Sequence, residues 1–229
     1  NATAERVDFD DPVAGDDYDR KSAFLRYDID GQRTTIGAEA GYTEVHNNGT
    51  TNSSPLVGLD VTRKLTERST LIFRGGIRSA DAASALRAGN QLGSGGGGAR
   101  PEQQSSSDTF ETRHASLDWQ FAGPRTSFQL SAGTEQDRYD SDTTLDSDRQ
   151  RYVASATRQF TPRLSLRAQA SVQSTDFDMG PDDDETRSGL HLSWNAVGRL
   201  YTEPDIERFE REASDPLTEY DETRYFLRF

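Results

Sequence analysis

Residues 163–173 set the strongest constraint on this chain. Leu164, Leu166, Ala168, Ala170 and Val172 alternate without a break with Arg163, Ser165, Arg167, Gln169, Ser171 and Gln173. Ala115, Leu117, Trp119 and Phe121 alternate in the same way with His114, Ser116, Asp118 and Gln120. A period of two over this length is a β-strand with one dry and one wet face. No comparable stretch has a helical period. Nowhere do more than three strongly apolar residues run together, so a transmembrane helix is excluded.

The same pattern predicts strands near 4–10, 21–30, 33–45, 55–64, 68–78, 109–121, 125–137, 150–160, 163–175, 187–197, 199–210 and 221–229. That makes about twelve. Short turns at Asp30-Gly31-Gln32, Leu65-Thr66-Glu67, Ala122-Gly123-Pro124, Phe160-Thr161-Pro162 and Val197-Gly198 have hairpin chemistry. They alternate with long loops near 11–20, 46–54, 79–108, 138–149, 176–186 and 211–220. An internal repeat runs through the strand pairs. Gly31-Gln32-Arg33-Thr34-Thr35-Ile36 matches Gly123-Pro124-Arg125-Thr126-Ser127-Phe128, and Thr62–Arg68 matches Thr157–Arg163. The expected organisation is a single domain over 1–229, with a four-strand unit at 21–78 and 109–175 and a partial one at 187–229.

Composition narrows the classes. With 39 acidic and 26 basic residues the net charge is −13, so nucleic acid is not an expected partner. No cysteine means no disulfide, no thiolate metal site and no cysteine nucleophile. Hydrophobic residues are only 32%, a thin supply for a buried core, yet 11 Phe, 8 Tyr and 2 Trp argue against disorder. No signal peptide is recognisable, so the chain is expected to be cytosolic or already processed.

The dry face separates soluble from membrane architectures. Many of its positions are alanine (Ala38, Ala40, Ala132, Ala154, Ala156, Ala168, Ala170), which fill a core poorly but cost little against acyl chains. The wet face carries Arg26, Asp28, Glu39, Asp60, Arg74, His114, Asp118, Arg151, Arg167, His191 and Arg228, a charge density suited to the lumen of a membrane barrel. Strands of about 9–11 residues suffice to cross a bilayer when tilted, and closure satisfies every backbone donor and acceptor. The expected fold is all-β: a transmembrane, antiparallel, up-and-down β-barrel of about twelve strands. Its short turns are periplasmic and its long acidic loops extracellular.

The C-terminal stretch Thr223-Arg224-Tyr225-Phe226-Leu227-Arg228-Phe229 resembles the last strand of bacterial outer-membrane proteins. The resemblance implies that Tyr225, Leu227 and Phe229 form the signal read by the barrel-assembly machinery of a Gram-negative cell, with outer-membrane lipid around the barrel. The segment Phe160-Thr161-Pro162-Arg163-Leu164-Ser165-Leu166 looks like strand pairs of β-barrel porin families, some of them associated with exopolysaccharide export.

Chemistry beyond lining is sparse. His46 is expected in a long loop, where with Glu44 it is a faint protease-like pair. His114 and His191 fall on the wet face, out of phase with the lipid-side Ser/His arrangement of outer-membrane phospholipases. The reading is therefore non-enzymatic, with no cofactor. Acidic runs at Asp10–Asp19, Asp140–Asp148 and Asp176–Glu185 make candidate weak calcium or magnesium sites, Asp182, Asp183 and Asp184 foremost; a solvated rim is the alternative. Gly93–Gly98 lacks the lysine of a phosphate loop and reads as a flexible tip. The expected function is an outer-membrane channel or channel-like barrel, possibly a component of polysaccharide or solute export. The alternative is a non-conducting structural barrel that anchors or displays a partner. One segment is anomalous. The lipid-side phase of 199–210 offers only Thr202, Pro204 and Ile206, so that strand either leaves the membrane early or is covered by a protein partner.

Overall fold

A computed structural model describes residues 2–7, 18–47, 50–81, 109–139, 143–179, 182–197, 200–213 and 219–228. Twelve strands fill them: β1 (Ala2–Val7), β2 (Tyr18–Asp30), β3 (Thr34–Asn47), β4 (Thr50–Thr66), β5 (Ser69–Asp81) and β6 (Thr109–Ala122). There follow β7 (Thr126–Tyr139), β8 (Ser147–Thr161), β9 (Leu164–Phe177), β10 (Asp183–Val197), β11 (Leu200–Ala213) and β12 (Tyr220–Arg228). All belong to one sheet in chain order, and each pairs antiparallel with its neighbours. Among the described residues β1 and β12 are its two edges.

The registers sort the side chains. Leu25 lies opposite Ala40 and Tyr27 opposite Ala38. Those alanines oppose Val57 and Leu59, and the apolar series continues through Phe73↔Leu117, Trp119↔Leu130, Tyr152↔Val172 and Leu190↔Ile206. Every described strand from β2 to β12 thus contributes to one continuous apolar face. Among the described residues nothing packs against it. Twenty-one of their large apolar or aromatic side chains are exposed, Leu25 and Tyr225 three-quarters so, against two that are buried, Phe110 and Tyr139. A soluble sandwich or barrel of this size needs the reverse distribution.

Four of the short turns agree with the sequence to within a residue or two, and their repeats are identical in detail; Gly198 of the fifth lies outside the described residues. Gly31 N donates to Thr34 O and Gly123 N to Thr126 O, both at 2.8 Å. A bulge at Lys64/Thr66 recurs at Gln159/Thr161. In each bulged turn a threonine hydroxyl accepts from the arginine N–H two residues on, Thr66 from Arg68 and Thr161 from Arg163, at 3.2 Å.

The other strand ends depart from expectation. The first strand spans 2–7 rather than 4–10, and Phe9 is outside the described residues. The long loop expected at 46–54 is largely strand, because the β3–β4 ladder continues to Asn47↔Thr50. His46 therefore lies within β3, not in a loop. β8 begins at Ser147 and β10 at Asp183, so the loops expected at 138–149 and 176–186 are shorter, the first holding a 3-10 turn at Thr143–Leu145. For β3, β4, β8 and β10 the reason is the same. Past the apolar band both faces become polar, so the alternation stops while the backbone ladder goes on.

Candidate functional site

Arg26, Asp28, Glu39, Asp60, Arg74, His114, Asp118, Arg151, Arg167, His191 and Arg228 all register on the face opposite the apolar one, through such pairs as Arg26↔Glu39, Asp60↔Arg74, His191↔Arg167 and Glu203↔Arg228. Period two puts them there, since each is an odd number of residues from its strand's apolar positions. Three clusters result.

The first spans β2 to β6. Arg26 Nε donates to Asp28 Oδ1 at 3.1 Å and its Nη1 lies 3.7 Å from Glu39. Arg74 stands 3.9 Å from Asp60 and 3.3 Å from Asp118. Four carboxylates thus share two guanidinium groups, leaving the cluster acidic. Glycines make room for it. A Cβ at Gly37 would meet Asp28 Oδ1 at 2.9 Å, and one at Gly58 would meet Glu39 Cγ at 2.6 Å. Most of these side chains are about half exposed, so solvent screens each pair. Their effect is on the local field, not on folding.

The second spans β8 to β12. His191 Nε2 is 3.4 Å from Glu203 and Nδ1 3.8 Å from Asp205. Arg187 pairs with Glu185 at 2.8 Å, and the guanidinium groups of Arg187 and Arg224 stand over the Phe209 ring at 5.3 and 4.9 Å. A cavity of about 240 Å³ opens here, lined by Arg151, Gln169, Gln173, Arg187, Glu207 and Phe209 among others. Arg151 and Arg167 make no ion pair among the described residues.

The third lies at the loop end, beyond the apolar band, where outward positions are already polar (Arg113, Gln136, Asp148). Phe110 and Tyr139 stack with centroids 4.7 Å apart. Beside them Asp137 is buried and accepts a hydrogen bond from Thr112 Oγ1 at 2.8 Å. Burial, reinforced by the charge of Glu135, pushes its carboxyl up to about 6. Arg138 Nη2 donates to both oxygens of Asp148 at 2.8 Å, Arg149 holds Glu135 at 2.7 Å, and Tyr139 N donates to Asp146 Oδ1 at 2.7 Å.

Among the described residues the acidic runs are not assembled into a ligand cage. Asp183 and Asp184 are successive residues of β10 and so register on opposite faces. Asp183 is held by Arg211 through two hydrogen bonds of 2.8 and 2.7 Å, and Asp182 precedes the strand. Among the described residues no group of three or more His, Asp or Glu side chains is disposed to hold a metal ion. Asp10, Asp11, Asp16, Asp17, Asp140, Asp142, the Gly93–Gly98 run and Phe229 fall outside the described residues. Tyr225 and Leu227 oppose Ile206 and Pro204 and belong to the apolar face. The aromatic platform of Phe209 and the arginine clamps at the loop end were missed from sequence; the odd phase of Phe209 within an acidic strand was the one available signal.

No protein-family model and no curated protein sequence matches the chain. Solved structures do. A loop-deletion mutant of OmpT, an outer-membrane protein of Vibrio cholerae, superposes with a TM-score of 0.54 at 9% identity, over 92% of this chain and 61% of that one. In-vitro folded OmpT from the same organism gives 0.48 at 7% identity, covering 98% and 90% of the two chains. A bacterial polysaccharide outer-membrane secretin gives 0.41 at 11%, covering 99% and 81%. The first is a likeness of fold: this chain has the antiparallel all-β fold of an outer-membrane protein, and spans about three-fifths of that structure's length.

Proposed function

We propose that the chain forms an outer-membrane β-barrel whose charged face lines a water-accessible lumen, and that it acts as a channel or a channel-like component. One observation carries this reading: the molecule is inverted. Most of its exposed large apolar side chains lie on one face of the sheet, and the half-exposed ion pairs of Arg26 and Arg74 lie on the other. Lipid on the first and water on the second resolves both at once. Apart from the two residues between β3 and β4, the connections at one end of the sheet are longer than those at the other, which supports a periplasmic turn side and an extracellular loop side. Assembly in this reading depends on the barrel-assembly machinery acting on Tyr225, Leu227 and Phe229. Export of polysaccharide or another solute is the finer reading, and it rests on the family resemblance alone.

Single-channel recording in a planar bilayer tests it. Discrete conductance steps are expected, with cation preference from the excess carboxylates beside Arg26 and Arg74. Arg74→Ala leaves Asp60 and Asp118 uncompensated and should shift the reversal potential further toward cations. Folded, membrane-inserted protein that passes no current favours instead the structural barrel that anchors or displays a partner.

A further inference from the structure

The charge of this protein is segregated along the strands. The chain as a whole is strongly acidic, with net charge −13. Yet residues 30–34, 62–69, 122–127 and 157–164, which form four of the short turns and the strand ends beside them, hold seven basic side chains and two acidic ones. Arg33, Arg68, Arg125 and Arg163 occupy the same place in each of the four turns. They are exposed, and none forms an ion pair among the described residues, whereas the arginines of the charged face are mostly paired.

The backbone fixes this belt. Arg33 O accepts from Lys64 N at 2.8 Å, Arg68 O from Ala122 N at 2.8 Å, Arg125 O from Gln159 N at 2.7 Å and Arg163 O from Asn195 N at 2.8 Å. Each turn is thereby tied to the next hairpin, and the arginines stand at a constant level. Arg63 and Arg158 take the last positions of the apolar face, opposite Leu71 and Leu166. The bulged turns add an exposed apolar side chain between basic ones: Leu65 between Arg63 and Arg68, Phe160 between Arg158 and Arg163.

We propose that this turn-side belt binds the headgroups of anionic phospholipids in the leaflet it faces, at two equivalent sites generated by the repeat. One is centred on Arg63, Leu65 and Arg68, the other on Arg158, Phe160 and Arg163. The proposal rests on the outer-membrane reading above. Arg63 and Arg158 border the apolar band, so a ligand that engages them must also lie against acyl chains. A headgroup phosphate does so, with Leu65 and Phe160 dipping toward the chains below it. A soluble acidic partner would have to cover the apolar band. Arg158 donates to Thr126 Oγ1 at 2.7 Å, which leaves its charge uncompensated; arginine outside ion pairs at an interface attracts anionic lipid through a field that salt screens.

The protein carries its own reporters. Its two tryptophans lie on the apolar face near the belt. Trp119 shares a row with Arg63 through Leu71, and Trp194 lies opposite Leu164, next to Arg163. The refolded chain is placed in vesicles of phosphatidylcholine and phosphatidylglycerol in equal amounts, with bromine on the acyl chains of one lipid or the other. Brominated phosphatidylglycerol should quench the tryptophans about twofold more than brominated phosphatidylcholine, and the difference should shrink in high salt. It should vanish in R63Q/R68Q/R158Q/R163Q and persist in the corresponding lysine variant. Equal quenching of the unsubstituted protein by both lipids overturns the headgroup sites. A preference that survives the quadruple glutamine variant does so too. Quenching by neither lipid overturns the outer-membrane reading itself.

Discussion

Asp137 is the residue whose chemistry departs furthest from its ordinary state. Its carboxyl is buried beside the Phe110–Tyr139 stack and bonded to Thr112, and burial raises it to about 6 from an ordinary value of 3.8. The native structure therefore binds a proton that the unfolded chain has already released between those two values. Its contribution to stability is fully present below about pH 4 and is lost as pH rises through 6, amounting to ~3 kcal/mol at most. Amide exchange at residues 110–112 and 137–139 should accordingly speed up from pH 4 to 6.5, after correction for the intrinsic rate. Asp137→Asn, neutral throughout and still able to accept from Thr112, should abolish that dependence. An unchanged pH profile in the variant would assign the effect to another group. Nothing in the sequence marks Asp137, because it is one of many aspartates at a strand end. Its environment comes from Phe110 on the neighbouring strand, 27 positions away in the chain.

At the scale of the elements, legibility followed the apolar band. Within it the faces of β6, β7 and β9 could be read residue by residue, since one apolar and one polar face impose alternation. Above it His46, Thr51 and Asp19 are paired strand residues that carry no periodic signal. β11 sits between. Its ladder to β10 runs to His191↔Asp205 and resumes at Trp194↔Thr202, stepping over Pro204, which has no N–H to give. Pro204 thus sits in an interior strand at a break in the ladder. Its outward positions, Thr202, Pro204 and Ile206, make the least apolar stretch of the wall. A partner protein over this wall should yield protein adducts from photo-crosslinkers at Thr202 and Ile206 in intact cells, and none from Leu130 on the opposite part of the sheet. Adducts with lipid alone at all three positions would leave β11 as ordinary wall.

For the whole molecule the decisive question is closure. Twelve antiparallel strands in chain order make β1 and β12 antiparallel to each other, so they can pair without a crossover. On the outer-membrane reading proposed above, the outer backbone groups of these edges must be satisfied within hydrocarbon, and pairing with each other does so. The sequence displayed the strand number and, except between β3 and β4, the alternation of connections, since both are local. Closure followed only from the membrane reading, because it joins residues more than two hundred positions apart and leaves no periodic trace. Spacing makes the test sharp. Neighbouring strands stand ~4.8 Å apart, so eleven intervals separate the edges by roughly 50 Å in an open, flattened sheet, whereas closure brings them into contact. The chain has no cysteine, so labels can be placed without background. Spin labels at Ala4→Cys and Tyr225→Cys in the detergent-folded monomer should report a separation under about 20 Å, allowing for the label arms and register. The same monomer should run anomalously on an unheated gel and shift on boiling, because a closed ladder resists detergent. A separation above about 40 Å in a monomer that still shows the gel shift would mean that the edges are satisfied otherwise. In that case mixing singly labelled chains should give a short distance between molecules, and the barrel would be completed by a second copy.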